Sequence, residues 1–140
     1  MLKYINKVIF KEKMNYTLPL EMLYRWEKER ADEIYLSQPI DGKIHEWSWK
    51  ETSIQVRKMA SYLKDNLPEN SKIGILSKNC AHWIMSDLAI MMAGHISVPL
   101  YPNLSAEALK SILDHSQTKF LFVGKLDNFC LLYTSPSPRD

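Results

Sequence analysis

Apolar residues follow two spacings along the chain, one typical of helices and the other of strands. A helix buries residues three and four apart, as at Val56, Met59, Ala60 and Leu63, whereas dense apolar runs such as KFLFVG (119–124) are typical of buried strands. These spacings predict helices over 17–30, 48–66, 80–93 and 105–115, and strands over 34–37, 44–48, 72–77, 96–102 and 119–124.

The predicted elements fall into two groups. The first helix is followed by two strands around Asp41-Gly42, a dipeptide typical of tight hairpins because glycine accepts positive φ. From Lys72 to Gly124 the elements alternate as β-α-β-α-β with short connections, which predicts parallel strands joined by right-handed crossovers. The expected fold class is α/β, with a helix and hairpin followed by an incomplete parallel sheet.

Signals at the helix boundaries support this division. Thr17 is the expected N-cap of the first helix, and Ser48 and Glu51 form a capping box for the second. Asn79 and Ser105 are the expected N-caps of the two later helices, and Gly94 is expected just beyond the C-terminus of the helix over 80–93. That helix is apolar nearly all round, which predicts burial between two layers.

Composition is that of one globular domain. The chain has 140 residues, of which 46% are hydrophobic and 24% charged, and the net charge of +2 predicts no nucleic-acid surface. No apolar run approaches the roughly 18 residues that a membrane-spanning helix needs. Two cysteines, Cys80 and Cys130, cannot build a disulfide framework, which favours a reducing compartment. We expect a cytoplasmic protein, with peripheral contact to a membrane surface left open.

The two ends differ in character from the middle of the chain. Residues 1–16 lack the apolar stretch and cleavage site of a signal peptide and are interpreted as a variable leader, with either Met1 or Met14 as the start. A basic amphipathic helix on a membrane surface is the alternative for this segment. Residues 130–140 (CLLYTSPSPRD) would be spelled by a DNA sequence that resembles a sequencing-library adapter and are expected to be non-native, the alternative being a natural Ser/Pro tail. The native domain would then span 17–129.

Few residues follow a pattern that is typical of catalysis. Cys80 opens a helix, which lowers the pKa of some thiols, although a small buried residue is the commoner role of a lone cysteine. Ser77-Lys78-Asn79 precede a helix N-terminus and form a generic anion niche. No glycine lies in a phosphate-loop motif, so no catalytic, cofactor-binding or metal-binding residue is assigned. The histidines lie in separate elements without a ligand set for a metal: His45, His82, His95 and His115.

Several segments together resemble the N-terminal region of the AMP-forming acyl-CoA synthetases, particularly the long-chain fatty acid–CoA ligases of the adenylate-forming superfamily. The resemblance covers about 17–129, which is only the beginning of a full-length member. It depends on Ala93-Gly94, Val98-Pro99 and Tyr101-Pro102 at the family's spacing. The segments are HEWSWKE (45–51), GILSKN (74–79), MMAGHISVPLYP (91–102) and KFLFVG (119–124).

The resemblance implies a two-step reaction in a larger parent enzyme. ATP and a fatty acid would give an acyl-adenylate and pyrophosphate, and coenzyme A would then displace AMP, with Mg²⁺ neutralising phosphate charge. The family's phosphate loop, nucleotide-binding motifs and catalytic lysine all lie downstream of this region. Tyr133-Thr134-Ser135 copies the start of the phosphate loop, but Pro136 stands where glycine is needed and the segment is rejected as a site. The fragment alone is expected to bind no cofactor and to be inactive.

Two other classes of protein remain open at this point. A free-standing β-α-β-α-β module of flavodoxin-like type would bind a ligand at the carboxyl ends of its strands. An interaction protein would instead dock through the basic segment at residues 1–16. A glycine-rich triphosphate loop in the gene downstream of codon 129 would favour the ligase over both.

Overall fold

The computed structural model describes residues 17–126, which form an α/β fold. The leader at 1–16 and the tail at 130–140, with Cys130 and Tyr133-Thr134-Ser135, lie outside the described residues. The helices are α1 (Pro19–Glu29), α2 (Trp49–Asn66), α3 (Ala81–Met92) and α4 (Ala106–Ser116), and the strands are β1 (Ile34–Ile40), β2 (Lys43–Ser48), β3 (Lys72–Leu76), β4 (Ile96–Leu100) and β5 (Phe120–Val123).

Strands β1 and β2 form the predicted antiparallel hairpin. The turn residues Asp41 and Gly42 both have positive φ, 50° and 76°, as a tight primed turn requires. Strand β1 runs on to Ile40, beyond the predicted end at Ser37, and Pro39 pairs with Ile44. A proline fits here because half of the N–H groups in a two-stranded sheet face away from the partner strand.

The second half of the described chain forms the predicted parallel sheet, with strand order β4-β3-β5. From β3 the chain crosses through α3 to β4 on one side, and from β4 it crosses back through α4 to β5 on the other. Right-handed crossovers that run in opposite directions place α3 and α4 on opposite faces of the sheet. The order of strands and helices thus confirms the predicted α/β class.

Two apolar clusters meet along α2. One packs α1 and the hairpin against α2 and α3, and includes Leu23, Leu36 and Val56. The other lies between α2, α3 and the parallel sheet and is formed by Leu63, Ile73, Ile75 and Ile90. Because α2 contributes to both clusters, it ties the hairpin to the sheet. Burial of these side chains from water is the main force that holds the two halves together.

Helix α3 packs against both apolar clusters, with Met85 and Leu88 in the first and Ile90 in the second, which agrees with the prediction that it is buried between two layers; its first turn is the exposed part. Met85, Leu88 and Ile90 are at most 5% exposed, whereas Ile84 is 37% exposed and His82 is also on the exposed side. The hairpin covers only part of this helix. An apolar sequence with no polar face cannot show which side remains uncovered.

The predicted helix caps have mixed outcomes. Ser48 accepts from the backbone N–H of Glu51 and Ser105 from that of Ala108, which confirms both N-caps. Thr17 is wrong as a cap, because α1 begins at Pro19 after the extended residue Leu18, whose N–H donates to Glu21 Oε2 at 2.9 Å. Gly94 has φ of 76°, as predicted for a residue that ends a helix.

Candidate functional site at the carboxyl ends of the parallel strands

The carboxyl ends of β3, β4 and β5 meet at one edge of the sheet. Since α3 and α4 leave toward opposite faces, the loops after β3 and β4 part from each other and open a crevice. In open α/β sheets, ligands bind in such a crevice. A cavity of about 250 Å³ lies there, between Ser77 and Asn79 on the β3 side and Tyr101 and Pro102 on the β4 side, with Trp83 of α3 as a further wall.

A second cavity, of about 370 Å³, lies beside the first, where β3 and β5 end beneath α2 and α3. Its walls are mostly apolar and include Ile75, Trp83 and Phe122. Lys125, an exposed residue just past the end of β5, also lines it. Ser77 and Trp83 line both cavities.

Ser77 fixes the loops at this edge of the sheet. Its Oγ accepts from the backbone N–H of Lys125 at 2.9 Å and donates to the carbonyl of Lys78 at 2.8 Å. The backbone N–H of Lys78 donates in turn to the carbonyl of Lys125 at 2.8 Å. A Cβ at Gly124 would approach Ser77 Oγ to 2.4 Å, so only glycine fits between the two loops. These hydrogen bonds between the loops after β3 and β5 extend the pairing of the two strands beyond their ends.

The N-terminus of α3 is capped by a residue from the hairpin. Cys80 is the N-cap residue, and its side chain makes no cap hydrogen bond. The backbone N–H of Ala81 donates instead to Gln38 Oε1 of β1 at 2.7 Å. The prediction of Asn79 as the cap is therefore wrong, because the helix begins two residues later and a strand-borne amide reaches its first N–H. Gln38 lies 43 residues before Ala81 and leaves no local sequence signal.

The remaining candidates from the sequence are not brought together. His45 and His82 are exposed, and His82 contacts the edge of Trp47 at a ring distance of 5.5 Å. His95 is buried, with Nε2 at 3.3 Å from the carbonyl of Leu63, and His115 lies in the last turn of α4. Between residues 17 and 126 no three His, Cys, Asp or Glu side chains are placed to hold a metal ion.

The thiol of Cys80 is half-exposed and lies 3.6 Å from Ser77 Oγ. This contact is with a hydroxyl and not with a base, and the hydroxyl is already engaged with the Lys125 loop. The described residues also include no group of three such ligands for Mg²⁺, and they hold no glycine-rich loop for a triphosphate. No helix between residues 17 and 126 is long and apolar enough to cross a membrane.

The fold defines an open α/β domain with a crevice at the carboxyl ends of its parallel strands. The anthranilate CoA ligase AuaEII, solved with anthranoyl-AMP, has this fold: it is 24% identical, with a TM-score of 0.72 over 84% of this chain and 22% of that chain. Residues 23–137 match the family of AMP-binding enzymes, and the chain belongs to that family.

Two relatives show which members of this family the chain resembles in sequence. Fatty acyl-CoA synthetase A of Dictyostelium discoideum is 33% identical over 85 residues, which are 58% of this chain and 13% of the relative. Long chain acyl-CoA synthetase 4 of Arabidopsis thaliana is 31% identical over 105 residues, or 72% of this chain and 16% of the relative. The resemblance to the N-terminal region of these synthetases is thereby confirmed, and the chain spans less than a fifth of either relative.

Proposed function

We propose that this chain is the N-terminal part of an ATP-dependent long-chain fatty acid–CoA ligase. The observation that carries the proposal is the match to long-chain acyl-CoA synthetases over most of the described fold. In the reaction, a fatty acid carboxylate attacks ATP and releases pyrophosphate, which leaves an acyl-adenylate. The thiol of coenzyme A then attacks the acyl carbon and AMP departs.

Residues 17–126 would serve this reaction as scaffold. They contribute the parallel strands and one edge of the crevice, but no phosphate loop, no metal-ligand group and no paired acid and base. ATP, Mg²⁺ and coenzyme A would be held by residues downstream. We accordingly propose that the 140-residue chain alone has no ligase activity.

The decisive experiment begins with the gene. The reading frame 3′ of the Phe129 codon is recovered with a library chemistry that does not use the suspected adapter, and the complete protein is expressed. It should catalyse palmitate-dependent exchange between ATP and pyrophosphate, and should form palmitoyl-CoA when coenzyme A is added. A frame that stops soon after codon 129, or a complete protein without palmitate-dependent exchange, contradicts the proposal.

The isolated chain is the matched control for that assay. At equal concentration it should give no exchange above a blank without protein, and any measurable exchange would contradict the scaffold role. We further propose a cytoplasmic protein with contact to a membrane surface through the basic leader. Flotation of the complete protein with anionic liposomes, lost when residues 1–13 are deleted, tests this second point.

A further inference from the structure

We propose that Asp41 is a site of spontaneous backbone isomerisation, at which the Asp41-Gly42 peptide converts to an isoaspartyl linkage and the hairpin loses its hydrogen bond to α3. The inference goes beyond the proposed function and does not depend on it. It concerns a reaction of this chain's own backbone, which needs no cofactor and no downstream residue.

The reaction joins the side chain of Asp41 to the backbone of Gly42. The amide nitrogen of Gly42 attacks the carboxyl carbon of Asp41 and forms a C–N bond, while the amide proton and the hydroxyl of the protonated carboxyl group leave as water. Water then adds to a carbonyl of the resulting succinimide ring and breaks the bond between that carbon and the nitrogen. Opening at the original backbone carbonyl leaves Gly42 attached through the Asp41 side chain. Overall the chain neither gains nor loses an atom.

The tip of the hairpin leaves both reacting groups accessible. Asp41 and Gly42 are exposed, and within residues 17–126 no salt bridge includes the Asp41 carboxylate. Gly42 has no side chain beside its amide nitrogen, and a Cβ built there meets nothing within 4 Å. Ile40 and Lys43 are the last pair of the ladder, so the Gly42 N–H lies in the turn and outside the paired strands.

Opening of the turn is the step that the fold controls. Ring closure rotates the backbone of Asp41 out of the left-handed conformation, with φ of 50°, that the closed turn requires. The hairpin has only two strands, and residues 41–46 are all exposed. A two-stranded hairpin has little stability of its own, and such segments open locally without global unfolding. The tip therefore reaches the reactive conformation while the core stays folded.

The modified turn would no longer match the hairpin. An isoaspartyl linkage adds the side-chain methylene to the backbone of the turn, and the length of a hairpin loop sets its turn type and strand register. Ile40 and Lys43 could not pair as they do. Gln38, on the same strand, accepts from the Ala81 N–H at 2.7 Å. We expect this hydrogen bond between the hairpin and α3 to be lost in the isoaspartyl form.

Incubation of the folded 140-residue chain at neutral pH tests the site. Peptide mapping with electron-based fragmentation distinguishes isoaspartate from aspartate at equal mass, and it should find isoaspartate at Asp41. Asp32 is the internal control, because it is also exposed in a turn but is followed by Glu33. A chain that stays unmodified at Asp41, or that isomerises equally at Asp32, overturns the proposal.

A matched pair of variants gives a second readout. Asp41→Asn keeps a residue that favours this turn and should form the same ring with ammonia as the leaving group. Each such event replaces an amide by a carboxyl group, which the mass of the intact chain reports. Asp32→Asn should keep its amide over the same period. Equal loss of ammonia from the two variants overturns the proposal.

The link to α3 is tested from both directions. Gln38→Ala should speed isomerisation at Asp41 about two- to thirtyfold, the factor by which loss of an N-cap acceptor favours opening. Gln55→Ala, an exposed change on α2, should leave the rate unchanged. In the purified isoaspartyl form, the Ala81 N–H should lose its protection from amide exchange. Equal rates in the two variants, or an Ala81 N–H that stays protected, overturns the link between the turn and the helix.

Discussion

Gln38 and Ala81 connect the hairpin to helix α3 through a hydrogen bond, in which the Ala81 N–H donates to Gln38 Oε1 at 2.7 Å. The first N–H groups of a helix have no partner within the helix, and Cys80 supplies none for α3. The side chain of Gln38, on strand β1 of the hairpin, therefore takes the place of a local N-cap side chain for α3. The loop over 77–80, which lines the cavities at the carboxyl edge, is held in place from the hairpin side.

Gln38→Ala should destabilise the chain by about 0.5–2 kcal/mol, which is the usual cost of losing an N-cap acceptor. Gln38→Glu should keep most of the stability, because a carboxylate both accepts the hydrogen bond and favours a helix N-terminus. Urea unfolding followed by circular dichroism measures both changes. Gln55→Ala, an exposed change on α2, is the control. Equal unfolding midpoints for Gln38→Ala and Gln55→Ala would contradict the role of the cap.

Gly124→Ala should disrupt the hydrogen bonds between the loop after β3 and the loop after β5. The added methyl group would lie 2.4 Å from Ser77 Oγ and 2.7 Å from Ser77 Cβ, so one of the two loops must move. We expect a loss of about 1–3 kcal/mol, as for other overpacked sites. Amide exchange should show faster opening at the N–H of Lys125, which donates to Ser77.

Gly42→Ala provides the comparison for that variant. Gly42 has a positive φ of 76°, but its Cβ would meet nothing within 4 Å. Only backbone strain should appear there, and it should not alter exchange at Lys125. If Gly124→Ala leaves the Lys125 amide as protected from exchange as Gly42→Ala does, the hydrogen bond between Lys125 and Ser77 does not depend on the close approach of the two loops.

The capping box of α2 should make stability depend on pH in acid. The backbone N–H of Ser48 donates to Glu51 Oε2 at 2.8 Å, and this bond, followed by the one from the Ser48 side chain, lowers the pKa of Glu51 below its usual 4.5. The ionised form is thus favoured in the folded chain. Its contribution is complete above pH 4.5 and is lost as the pH falls through the lower, folded-state pKa.

Glu51→Gln isolates this effect, because the amide oxygen still accepts a hydrogen bond but does not titrate. The stability difference between the wild-type chain and Glu51→Gln should be constant from pH 7 to 5 and should shrink below pH 4.5. Urea unfolding at intervals of half a pH unit measures it. Glu107→Gln, at the first turn of α4, controls for the loss of one acidic charge at a helix N-terminus. A difference that stays constant down to pH 3 would contradict the lowered pKa.

Local sequence signals account for most of the fold and for little of the site. The hairpin at Asp41-Gly42 and the caps at Ser48 and Ser105 could be predicted, because each depends on residues within three positions of one another. The parallel sheet followed from the alternation of strands and helices. These features depend on backbone conformation and on contacts close in sequence, which periodicity and turn residues report directly.

Features that depend on distant residues could not be predicted. Gln38 caps a helix that begins 43 positions later, and the exposure of His82 depends on how far the hairpin covers α3. The cavity at Lys125 is lined by side chains from four elements that lie far apart in the sequence. Only the packing of the elements brings such residues together, so neither spacing nor composition can indicate them.

Tyr35 should make the chain lose stability in alkali. Its ring stacks on Trp49 at a centroid distance of 3.7 Å, and partial burial raises the pKa of its phenol above the usual 10. The folded chain therefore favours the neutral phenol, whereas the unfolded chain releases the proton freely above pH 10. The contribution of Tyr35 to stability is complete below pH 10 and should fall as the pH rises toward the folded-state pKa.

Tyr35→Phe keeps the stacked ring without the titrating group, so the wild-type chain should lose stability more steeply than this variant between pH 9.5 and 11. Tyr62→Phe, at a tyrosine that is 52% exposed, should follow the wild-type course. Parallel urea midpoints for the wild-type chain and Tyr35→Phe across this range would show that burial of Tyr35 does not disfavour its ionised form.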